Sequence, residues 1–82
     1  MRQTPMKLIQ VLGAGCAKCY KLRRNAQAAV EELGTDAKVE MVTRIEEIID
    51  FGVLMTPALA VDGVVKLVGR VASVEELKTL LR

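Results

Sequence analysis

The chain has no histidine, no tryptophan, and only two aromatic side chains, Tyr20 and Phe51, in 82 residues. A core without aromatics has to be built from Val, Leu, Ile, Ala and Met, which the 51% hydrophobic content allows. So few rings also leave nothing on which bases could stack, and the net charge of +2 is that of an ordinary soluble surface. Nucleic acid is therefore not an expected partner. There is no third cysteine beside Cys16 and Cys19, so a structural zinc site, which takes four ligands, cannot be assembled from thiolates and imidazoles of one chain. Long apolar runs are absent too. The longest apolar region, Phe51 to Val65, is interrupted by Thr56-Pro57 and Asp62-Gly63 and falls short of a membrane span. The first residues, Met1-Arg2-Gln3-Thr4-Pro5, carry no signal-peptide pattern. The expectation is one domain over residues 1–82, cytoplasmic, monomeric and not membrane-bound.

Met6 to Leu12 is short, apolar and β-branched, and ends at Gly13-Ala14-Gly15, as a strand running into a Gly-rich loop does. The period then changes. Cys19, Leu22, Ala26, Ala29, Val30 and Leu33 form one helical stripe from Ala17 onward, about four turns or more in length. Gly34 suits its C-cap. Ala37 to Val42 alternates and reads as a second strand. Thr43-Arg44-Ile45-Glu46 fits a capping box with Thr43 as N-cap, opening a short helix expected to bury Ile45, Ile48 and Ile49 and to stop at Gly52. Ala58 to Val61 and Val64 to Val68 are apolar runs joined by Asp62-Gly63, a strong hairpin signal because a type I′ turn needs positive φ at both positions. Ser73-Val74-Glu75-Glu76 is a second capping box. It opens a last helix with Val74, Leu77, Leu80 and Leu81 on one face. The predicted order is β-α-β-α-β-β-α: an α/β fold whose mixed four-stranded sheet is flanked by helices.

Chemistry concentrates in Cys16-Ala17-Lys18-Cys19. Two intervening residues bring both sulfurs to one helix end. Near the N-cap, unpaired backbone N–H groups and the helix dipole favour an anion. A thiolate is that anion, and it is the attacking species in disulfide exchange. Lys18 and Lys21 add positive charge, so the Cys16 pKa is expected below the free value of about 8.5. Cys19, one turn further in and on the apolar stripe, is expected to be more buried and less ionised. Cys16 is then the nucleophile and Cys19 the resolving thiol of a dithiol–disulfide couple, with no other cofactor.

Other uses of two cysteines fit less well. A disulfide closing so short a loop constrains the unfolded chain by only about 2 kcal/mol in the loop-entropy model, and structural disulfides are rare in the cytoplasm. Two buried thiols would suit Cys19, but Cys16 follows a Gly-rich loop. The functional alternative is a metal-binding or metal-transfer module using the same CxxC, for example with Cu(I). Small copper carriers resemble a β-α-β-β-α-β chain, however, whereas here a second helix precedes the hairpin.

Gly15-Cys16-Ala17-Lys18-Cys19, Thr56-Pro57, Val61-Asp62-Gly63 and Gly69-Arg70-Val71-Ala72-Ser73 together resemble the thioredoxin superfamily. They are most similar to its small thioredoxin/glutaredoxin-like "redox-active disulfide" proteins, over essentially Met6 to Arg82. The resemblance implies a thioredoxin-like fold and a thiol–disulfide oxidoreductase or protein electron carrier. It also implies a protein disulfide as substrate and a thioredoxin-reductase-like electron donor as partner. Carried over residue by residue, it implies a cis Pro57, with Thr56 facing the disulfide and offering backbone groups to an extended substrate segment. Gly15 and Lys18 are the remaining expected substrate-contact residues. The chain departs from thioredoxins proper in having Gly15 where they have Trp, Ala17-Lys18 where they have Gly-Pro, and no acid in the first strand.

Some further residues have both a functional and an ordinary explanation. Lys18, Lys21, Arg23 and Arg24 form a basic cluster that suits either an acidic partner or a solvated helix face. Met55 beside Thr56 suits an apolar docking surface or the core. Gly13 and Gly15 suit a close backbone approach or simply the shape of their loop.

Overall fold

The computed structural model describes residues 7–15 and 17–81. They form β1 (Lys7–Leu12), α1 (Ala17–Leu33), β2 (Ala37–Val42), α2 (Ile45–Asp50), β3 (Ala58–Val61), β4 (Val64–Val68) and α3 (Val74–Leu81). This is the order expected from the sequence. Met6, expected to open the first strand, and Cys16 lie outside the described residues.

The four strands make one mixed sheet in the order β2-β1-β3-β4. β1 runs parallel to β2 and antiparallel to β3, and β4 runs antiparallel to β3 on the outside. Strand alternation divides the core in two. Ile9 and Val11 of β1 face a larger cluster with Leu22, Ala26, Ala29 and Val30 of α1 and Leu77 and Leu81 of α3. Leu12, of opposite parity, joins Val42, Ile48, Val53 and Ala58 on the other face, under α2. β3 is buried at all four positions, as expected of a strand covered on both faces. Burial of Leu22 and Leu77 is complete, and truncation of such a side chain to Ala costs about 2–5 kcal/mol.

The pairing of β3 with β4 slips by one residue. Leu59 lies opposite Leu67, but Ala60 lies opposite Val65, so Lys66 is the extra residue of a β-bulge. Leu67 thereby enters the α1/α3 cluster and Val65 packs against the α2 cluster. At the hairpin tip Asp62 (φ 52°) and Gly63 (φ 84°) both have the positive φ of the predicted turn. Asp62 also ties the tip to β1. Its N–H donates to the Leu8 carbonyl at 2.8 Å, and its Oδ1 accepts from the Leu8 N–H at 2.8 Å.

The helix ends correct two expectations. The N-cap of α2 is Arg44, extended at φ −81° and ψ 128°, and no side chain caps the helix. Thr43 and Glu46 therefore fall one position too early to close a capping box, which pairs the N-cap with the third helical residue. The expected burial of Ile45 and Ile49 is also wrong. They are 62% and 56% exposed, and only Ile48 of the three is buried. With six residues, α2 covers just the end of the sheet, so a stripe three isoleucines wide exceeds the surface available to it. At α3, the Ser73 hydroxyl accepts from the Glu76 N–H at 3.2 Å, which is half of the expected box. The Glu76 carboxylate turns instead to Arg70, whose Nη1 donates to Oε1 at 2.8 Å and whose Nη2 donates to Oε2. Asn25 of α1 holds the same loop, donating from Nδ2 to the Ala72 carbonyl at 2.9 Å.

Candidate functional site

β1 ends at Leu12, and the chain passes through Gly13, Ala14 and Gly15 before α1 begins at Ala17. Gly13 is buried, and its N–H donates to the Val42 carbonyl at 2.9 Å. That bond extends the β1–β2 ladder one step beyond the last strand pair. Ala14 and Gly15 then emerge into solvent, Gly15 with φ 78°.

Cys19 is the first buried residue of α1 and is completely inaccessible. Its side chain lies directly over Gly13. A Cβ at position 13 would come within 2.1 Å of Cys19 Sγ and 3.0 Å of Cys19 Cβ, and within 3.8 Å of Thr56 Cβ. One hydrogen-only position thus brings together the end of β1, the first turn of α1 and the loop before β3. The loop contributes Thr56, which is exposed, and Pro57, which is buried. Their peptide bond is cis. The Pro57 carbonyl accepts from the Gly69 N–H at 2.7 Å, anchoring the loop to the end of β4.

Of the expected site residues, Cys19 and Thr56 meet around Gly13, and Pro57 follows Thr56 through the cis bond. Gly15 and Lys18 lie on the exposed flank of the same junction. Cys16, outside the described residues, stands in the chain between the exposed Gly15 and Ala17. Met55 is 62% exposed, which rules out the core. Its methyl end lies against Gly69, where an added Cβ would be 3.3 Å away.

Beside Thr56 runs a groove of about 360 Å³, lined by Ala14, Ile45, Ile49, Val53 and Leu54 among others. Leu54 is 92% exposed. The exposed isoleucines of α2 are thus the wall of a surface groove. The sequence signal for it was weak, because Ile45 and Ile49 share the spacing of core residues. The part played by Gly13 as the seat of Cys19 was likewise missed. Among the described residues, no three His, Cys, Asp or Glu side chains gather as metal ligands would.

The thioredoxin-domain family model matches residues 7–82. The chain belongs to the thioredoxin family. Two similar relatives are both called thioredoxin. The protein of Methanothermobacter thermautotrophicus is 49% identical over 76 residues, covering 93% of this chain and 99% of the relative. That of Methanocaldococcus jannaschii is 43% identical over 77 residues, covering 94% of this chain and 88% of the relative. In thioredoxin-family terms the chain supplies the mixed sheet with helices on both faces. Among the described residues, no helix of this thioredoxin-family chain is long and apolar enough to cross a membrane.

Proposed function

We propose that the chain is a thiol–disulfide oxidoreductase and protein electron carrier that cycles Cys16 and Cys19 between dithiol and disulfide. The observation that carries this reading is the burial of Cys19 against Gly13 at the head of α1, next to Thr56 and Pro57. Kinship with two proteins called thioredoxin supports it.

Cys16 is the residue next before α1 in the chain. Helix-end N–H groups and the dipole favour its thiolate. That thiolate attacks one sulfur of a substrate disulfide, forming a mixed disulfide and expelling the other sulfur as a thiolate. Cys19 then loses its proton and attacks Cys16 Sγ. The substrate's second thiolate leaves, and two electrons have passed from the Cys16/Cys19 pair to the substrate. An electron donor resembling thioredoxin reductase reopens the Cys16–Cys19 disulfide. The chain acts as a monomer in the cytoplasm, where a reducing poise keeps the pair in use. Thr56 and Pro57 hold an extended protein segment, with Gly15 and Lys18 at its flank. The groove beside Thr56 takes the segment's apolar side chains.

Redox equilibration with glutathione or dithiothreitol tests the couple. A reversible Cys16–Cys19 disulfide is expected, and failure to form one would overturn the proposal. With insulin as substrate, Cys16→Ser abolishes exchange and Cys19→Ser accumulates the mixed disulfide. Ile45→Glu combined with Ile49→Glu slows insulin reduction several-fold but leaves the rate on a small uncharged disulfide intact.

A further inference from the structure

The charges of α1 run against its own dipole. A helix favours acidic side chains in its first turn and basic ones in its last. α2 opens with Glu46 and Glu47, and α3 with Glu75 and Glu76. α1 has no acid in its first turn and no base in its last. Its first half carries Lys18, Lys21, Arg23 and Arg24 instead, and Glu31 and Glu32 stand at its far end.

All four cations are exposed, and among the described residues none of them pairs with a carboxylate. Three cations elsewhere are paired: Lys78 with Glu32 and Glu75, Arg70 with Glu76, and Lys38 with Glu40. An ordinary solvated helix face mixes its signs in that way, and this one does not. Lys18 to Arg24 rise about 9 Å along the helix, close to the Debye length of about 8 Å at physiological salt, so the four charges act together. Ala17, Tyr20, Lys21, Arg23, Arg24 and Gln27 line a shallow open hollow there, with Tyr20 54% exposed. Support of a Cys16 thiolate does not account for the whole cluster. Dipole effects fade within the first turn, and Arg23 and Arg24 lie beyond it.

We propose that this face of α1 is a docking surface for an acidic segment of a redox partner protein, which it guides to the adjacent cysteines. The role of the surface in exchange rests on the function proposed above. The choice of protein over nucleic acid rests on charge and rings. The face offers four cations and one aromatic, where single-stranded nucleic acid uses a series of stacking rings.

The test uses two peptides that share one disulfide loop, flanked in one by glutamates and in the other by lysines. At low salt the chain should reduce the glutamate-flanked peptide about tenfold faster, and the gap should close near 0.5 M salt, as electrostatic steering requires. Arg23→Glu with Arg24→Glu should erase or reverse the preference, while the rate on hydroxyethyl disulfide stays within twofold. Measurable but equal low-salt rates on the two peptides would overturn the proposal. So would tighter binding of single-stranded DNA than of the glutamate peptide. Fluorescence anisotropy with a glutamate-flanked peptide whose cysteines are replaced by serine reads docking apart from chemistry. Salt-sensitive binding without any disulfide exchange would uphold the surface and remove the oxidoreductase reading instead.

Discussion

Cys19 Sγ occupies the place that a Cβ on Gly13 would need, 2.1 Å from where that carbon would be. The two residues belong to different elements, the end of β1 and the first turn of α1. Their contact fixes how closely helix and strand approach at the candidate site. A larger side chain at position 13 cannot be absorbed by a flexible neighbour, because Cys19 is fully buried.

Gly13→Ala is therefore expected to destabilise the fold by about 1–3 kcal/mol, the usual range for overpacking. Urea unfolding measures it. The same substitution in a Cys19→Ala background should cost less, with a coupling of about 0.5 kcal/mol or more between contacting positions. Equal costs in the two backgrounds would show that position 13 is constrained by something other than the thiol.

The two helix starts that look alike in sequence should respond differently. Ser73 caps α3 through its hydroxyl, so Ser73→Ala should lose about 1 kcal/mol. Thr43 does not cap α2, so Thr43→Ala should stay within about 0.5 kcal/mol of the parent. Thermal unfolding of both variants side by side gives the comparison.

Hydrogen bonding from the Arg70 guanidinium holds the Glu76 carboxyl below its ordinary range, and the same contact raises Arg70. A carboxylate whose pKa is depressed by folding stabilises the native state above its unfolded pKa. That contribution disappears as pH falls through the folded value. NMR titration should show the Glu76 midpoint rising in Arg70→Gln. The stability gap between parent and variant should narrow as the pH is taken below the carboxylate range. Both side chains remain accessible to solvent, so high salt should shrink the gap as well.

Much of the architecture was legible along the chain. The helical stripe from Cys19 to Leu33 coincides with α1, and Asp62-Gly63 marked the hairpin because its turn demands an unusual backbone. The pairing of Thr43 with Glu46 misled because spacing alone does not say where a helix begins. A shift of one residue to Arg44 breaks the box. Ile45 and Ile49 misled for a different reason. Periodicity shows which face of a helix is apolar, but the extent of the surface that can receive it depends on how far the helix overlaps the sheet. At the site, the burial of Cys19 on the apolar stripe of its helix was legible. The seat under Cys19 was not, because a glycine records only the absence of a side chain and gives no sign of its neighbour.

The extra residue in β4 works like a frameshift within the sheet. Side chains two apart on a regular strand share a face, and Val65 and Leu67 escape that rule only because Lys66 stands between them unpaired. Without this one exposed lysine, Val65 and Leu67 would be consecutive, and consecutive side chains of a regular strand face opposite sides, so each would still reach its own cluster. The bulge is thus a tolerance in the fold: the outer strand carries one residue more than its partner and still closes both layers.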